Sequence, residues 1–196
     1  MLNRTAAPWA LLFALCTAPL AHAAGDGQVV NHEAPGNLQK LQPLECVAVA
    51  QVSNTATPPD IYHGVAACAA QQRKEAMIAL YLLGNMYARY DTLRVSDRTA
   101  HQAYSAMQMQ LGQQMSDADR EMFGEALNAS LNDTAFIAQT CQNIRRVGPP
   151  NYHPTYMIQH GMGAFLGRQG DGLEQAFDGA ASWQTLLTDY LKCPAS

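Results

Sequence analysis

The chain has 196 residues, five cysteines and a formal net charge of −4, with 12 Lys plus Arg against 16 Asp plus Glu. That balance argues against nucleic acid as a partner, because phosphates demand a basic surface. No apolar run reaches the roughly 20 residues that span a bilayer, so stable membrane insertion is not expected.

Arg4, the apolar run from Trp9 to Leu20, and Ala21-His22-Ala23 before Ala24 and Gly25 follow the basic, apolar and small-x-small order of a secretory signal peptide. Residues 1–23 are therefore expected to be cleaved near Ala23, with export to the periplasm. Cys16 follows Leu15 in the middle of the apolar run rather than closing it after a small residue, which argues against lipidation. Without residues 1–23 the charge becomes 11 against 16, a net −5. About 170 residues then remain, enough for one domain with its own core.

Four cysteines stay in that product: Cys46, Cys68, Cys141 and Cys193, at separations of 22, 73 and 52 residues. An even count in an oxidising compartment reads as two disulfides, and the wide spacing lacks the Cys-x-x-Cys clustering of a zinc site. The preferred pairing is Cys46 with Cys68 and Cys141 with Cys193, because each would pin neighbouring helices of one half of the chain. Loop closure alone gives about 3 and about 4 kcal/mol for the two bridges.

Residues 24–42 hold Gly, Asn, Gln and Pro without periodicity and are expected as a flexible leader, with a single helical domain over 43–196. Leu44, Val47, Ala48 and Gln51 predict a short first helix ending before Asn54. Pro58-Pro59-Asp60 predicts a helix start, with Ile61, Val65, Cys68 and Ala69 on one side. From Arg73 to Arg89, Met77, Ile78, Tyr81, Leu82, Met86 and Ala88 give the strongest helical spacing in the chain. Asp97 to Leu111 predicts another helix, through Ala100, Tyr104, Met107 and Leu111. Ser116 with Asp119 resembles a cap before the stripe Met122, Phe123, Ala126 and Leu127. Asn132 or Asp133 can cap the next helix, which stops at Gly148-Pro149-Pro150. A glycine-rich connection over 161–172 leads to a last helix from about Leu173 to Leu191. No stretch alternates apolar and polar residues long enough for a strand. The expected class is all-α, a bundle of six to eight helices.

Tyr152 to Gly161, Tyr-His-Pro-Thr-Tyr-Met-Ile-Gln-His-Gly, is the stretch most like a reaction centre. His153-Pro154 should open a short helix, with Tyr156 and His160 on one face. His153 and His160 lie about 10 Å apart along such a helix, too far for a relaxed shared metal, and no carboxylate occurs between Asp133 and Asp171 to orient them. Met157, Ile158, Met162 and Phe165 suggest a helix that is partly core. His32-Glu33-Ala34-Pro35-Gly36 fails the zinc-protease pattern at its fifth position, and Gly161-x-Gly163 lacks the third glycine and base of a phosphate loop. Met107, Met109 and Met115, interleaved with glutamines, read as core filling, or as an adaptable binding surface. No catalytic residue, metal site or cofactor is assigned.

Residues 79–87, Ala-Leu-Tyr-Leu-Leu-Gly-Asn-Met-Tyr, resemble the first helix of a Sel1-like or tetratricopeptide repeat, but the pattern occurs once and a solenoid needs about three copies. Tight helix packing through Gly84 is the simpler reading. The ensemble of signal peptide, four cysteines and helical body, with Asp91-Thr92-Leu93-Arg94-Val95-Ser96-Asp97-Arg98 and Tyr152 to Gly161, resembles small periplasmic immunity proteins of antibacterial effector–immunity pairs from Xanthomonas-like bacteria. The resemblance implies a non-enzymatic protein that binds and neutralises a cognate secreted toxin. The expected contact residues are Tyr152, Tyr156 and His160 as anchors, and Asp117, Asp119 and Glu121 for steering. The alternatives are a periplasmic enzyme of cell-wall hydrolase type and a helical envelope adaptor or ligand-binding protein.

Overall fold

The structure, a computed structural model, describes residues 33–167 and 169–194. The expected signal peptide and residues 24–32 of the leader lie outside the described residues. Among those described there are eight α-helices: α1 Pro58–Ala70, α2 Lys74–Arg94, α3 Ala103–Gln114, α4 Asp117–Asn132, α5 Thr134–Val147, α6 Thr155–Ile158, α7 Met162–Phe165 and α8 Gly179–Thr185. They contain no strand, and the class is all-α.

Helix α2 is the centre of the bundle. Met77, Ile78, Leu80, Leu83, Met86, Tyr87 and Ala88 are all fully buried, so its apolar residues are spread round the helix rather than confined to one stripe. It packs along α1 and also meets α3, α4 and α8. Gly84 makes the α1 contact close: a Cβ there would lie 3.2 Å from Tyr62 and 3.3 Å from Ile61. The repeat-like look of residues 79–87 thus comes from one tightly packed helix.

Local start signals act as the sequence predicts. Asp60 Oδ2 accepts from the Thr57 amide at 3.1 Å and from its hydroxyl at 2.6 Å, which fixes the first turn of α1 behind Pro58 and Pro59. Ser116 Oγ accepts from the Asp119 amide at 3.1 Å at the start of α4. Asp133 Oδ1 accepts from the Ala135 and Phe136 amides at the start of α5. Gly148, at φ 85°, ends α5 in a conformation that favours glycine.

Both disulfides join the predicted partners. Cys46–Cys68 ties the segment before α1 to α1 itself, and Cys141–Cys193 ties α5 to the end of the chain.

Three expectations are corrected. The leader is not loose over 33–42: the Leu41 and Gln42 amides each donate to Asp60 Oδ1 at 2.8 Å, and the Leu38 amide donates to Tyr156 O at 3.0 Å. The first predicted helix is a single 3-10 turn, Val49–Gln51, closed off by extended backbone at Val52. The last helix begins at Gly179 rather than Leu173 and continues as a π turn, Leu186–Tyr190. Its missing first turns have other partners, since Ser96 N donates to Gly172 O and Glu174 N donates to Arg94 O.

Candidate functional site

The tyrosines of the 152–161 stretch converge on a carboxylate from α2. Tyr152 Oη and Tyr156 Oη both donate to Asp91 Oδ2, at 2.9 and 2.7 Å. Arg94 Nε donates to the other oxygen, Oδ1, at 2.8 Å, and its Nη2 lies 2.7 Å from the same atom. The guanidinium is held between rings, 5.1 Å from the centre of Tyr152 and 5.3 Å from that of Tyr90. Asp91 is fully buried, and burial raises its pKa against the pull of Arg94 and the two phenols. Burial, with the charge of Asp91 beside them, holds both phenols well above their ordinary value. Every polar atom of the carboxylate is therefore engaged within the protein, an arrangement that locks α6 onto α2.

This corrects the expected anchor role of Tyr156, which is only 3% exposed, whereas Tyr152 stays half-buried with its hydroxyl turned inward. The histidines have separate partners. His153 Nδ1 pairs with Thr155 Oγ1 and Nε2 with Asp171 O, both at 2.9 Å. His160 Nδ1 pairs with Asn37 Oδ1 at 2.8 Å and remains half-buried, with burial lowering its pKa. Among the described residues no group of three or more His, Cys, Asp or Glu side chains is gathered for a metal.

The acidic residues split likewise. Asp119 belongs to the cap of α4, accepts from Ser116 Oγ at 2.7 Å and takes Gln72 Nε2 at 2.9 Å. Asp117 and Glu121 are exposed on the first turns of α4, where the helix dipole favours negative charge. Asp117 pairs with Arg120, whose Nη1 also donates to Gly112 O and Met115 O, both at 2.8 Å, and so braces the α3–α4 corner. In the Met/Gln stretch, Met107 and Met115 are core, whereas Met109 is 66% exposed.

What the sequence pattern missed lies just beyond His160. Met162 and Phe165 were expected to be partly core, yet they are 54% and 50% exposed, and Leu166 is 69% exposed. Phe165 within the single turn α7 and Leu166 at its C-cap stand three and four positions from Met162, which puts the three side chains on one side of the turn. The turn has a rigid footing. Gly163 N donates to Asp97 Oδ2 at 2.7 Å, and Met162 N donates to Thr99 Oγ1 at 2.9 Å. Thr99 Oγ1 in turn donates to Asp97 Oδ1 at 2.7 Å. Gly161 makes the approach possible: a Cβ there would stand 2.7 Å from Asp97 Oδ2 and 2.8 Å from the Ala100 Cβ. An apolar face that the fold holds in water, rather than hides, is a feature of contact surfaces.

No protein-family model, curated protein or solved structure matches the chain.

Proposed function

We propose that the chain acts in the periplasm as an immunity protein, binding a cognate secreted antibacterial toxin and blocking it by contact. The observation that carries this reading is the α7 turn, three exposed apolar side chains anchored through the Met162 and Gly163 amides to Thr99 and Asp97. A preformed contact of this kind reduces the ordering entropy lost on association. The two disulfides support export, since such bonds persist in oxidising compartments. Among the described residues no helix is long and apolar enough to cross a membrane. Asp117 and Glu121 supply exposed negative charge for steering a basic partner, while Tyr152 and Tyr156 hold the scaffold under the contact face.

The test is protection. The product of the neighbouring gene is directed to the periplasm of a sensitive strain, with and without this chain. Survival only when the chain is co-exported, and its loss on Phe165→Asp with Leu166→Ser, is the expected result. Death in both cases, with the chain shown to be present and folded, would overturn the reading.

A further inference from the structure

A second region offers a different kind of site. Between α2, α3, α4, α5 and the end of the chain lies a cleft of about 740 Å³, within the range of about 300 to 1,000 Å³ that takes small ligands. Leu82, Leu127, Leu131 and Ile137 give it an apolar lining, and Tyr81, Tyr104 and Tyr190 add ring faces. Arg89 fixes two of these rings, lying 4.2 Å from the centre of Tyr190 and 5.6 Å from that of Tyr104.

Two polar groups stand out against this lining. Asn85 is 2% exposed, and its Oδ1 is already taken by Tyr62 Oη at 2.6 Å and Gln108 Nε2 at 3.2 Å. Its Nδ2 donates to none of the described residues, so a buried amide that lines the cleft keeps two N–H donors for an incoming acceptor. Lys192 is the one charged side chain among the described residues of the lining. Burial holds the Tyr104 phenol above its ordinary value, so this ring brings no negative charge at neutral pH.

We propose that this cleft binds a long-chain carboxylic acid: an apolar tail against the leucines and tyrosine rings, and one carboxylate for the Asn85 amide and the Lys192 ammonium. The single cation and the neutral donor fit a monoanionic head group, and the predominantly apolar lining fits a hydrocarbon tail. The site is separate from the α7 turn and stands or falls independently of the toxin-binding reading.

Titration of the delipidated, cystine-intact chain with palmitate below its micellar concentration tests this directly, with methyl palmitate as the uncharged probe. The expected result is one equivalent of palmitate, bound about tenfold more tightly than the ester. Lys192→Gln should remove that preference while leaving ester binding in place. Ala138→Trp should fill the cleft and abolish both, with Leu131→Trp, at an exposed position, as the blocking variant if the first does not fold. Absence of palmitate binding, equal affinity for acid and ester, or binding that survives a folded blocking variant would each overturn the proposal.

Discussion

Tyr156 and Asp91, 65 positions apart in the chain, are joined by a buried 2.7 Å hydrogen bond, and Tyr152 shares the same carboxylate oxygen. Through this bond the segment that looks most like a reaction centre becomes part of the framework. Replacing the acceptor should therefore affect the fold as a whole. Asp91→Asn leaves the Arg94 charge buried without its counterion and is expected to cost about 3 kcal/mol or more. Tyr156→Phe removes one hydrogen bond and should cost about 1 to 3 kcal/mol, because it also leaves Asp91 with one donor fewer. Urea unfolding of the two variants checks the order.

Alkaline pH should weaken the protein. Tyr62, Tyr152 and Tyr156 all have phenols held well above their ordinary value, chiefly by burial. Unfolded tyrosines ionise near about pH 10, so above that pH the folded chain binds more protons than the unfolded one. Stability is thus fully present below pH 10 and is lost as pH rises towards the folded values. Thermal melts between pH 8 and 11 should show a falling midpoint.

Each disulfide contributes separately. Removing Cys141–Cys193 as a double serine variant should cost about 4 kcal/mol and removing Cys46–Cys68 about 3 kcal/mol, because the first closes the longer loop. Denaturant titration of the two variants against the oxidised protein measures both.

The acidic residues of α4 should separate into two classes. Asp119→Ala loses the cap interactions with Ser116 and should cost about 1 kcal/mol. Glu121→Lys, at an exposed position, should leave the melting temperature nearly unchanged and slow association with a basic partner, whereas Asp117→Lys also loses the pair with Arg120 and the favourable charge at the start of α4 and should lower it slightly. Stopped-flow association at two salt concentrations distinguishes steering from contact.

Helices with strong local signals were legible in the sequence. The three-and-four spacing of α2, the prolines that open α1 and the caps at Ser116 and Asp133 all act within a few residues. The two disulfide pairings matched the preference for bridges that pin neighbouring helices within each half of the chain. The roles of Tyr152 and Tyr156 were not legible, because their acceptor Asp91 sits on another helix 61 and 65 positions away, and within α2 it resembles any solvated helix carboxylate. The same limit applies to α7: Met162 and Phe165 have the composition of core residues, yet with the Met162 and Gly163 amides anchored to Thr99 and Asp97 both side chains face water. Residues 33–42 look unpatterned because Asp60, the group that orders Leu41 and Gln42, lies in α1.

Gly161→Ala probes the footing of the contact face alone. The added methyl would meet Asp97 and Ala100 at distances no Cβ tolerates, so the contact between Gly161 and the Asp97 side chain that holds α7 must open. The expected cost is about 1 to 3 kcal/mol, with partner affinity falling by more than that loss of stability explains.

The most direct measurement is the affinity of the oxidised chain for the proposed toxin partner, set beside that of Phe165→Asp with Leu166→Ser. Both positions are exposed, so the variant should keep the melting temperature of the parent. The account predicts at least about a tenfold loss of affinity at unchanged stability. Equal affinity in the folded variant would contradict it and move the contact surface away from α7.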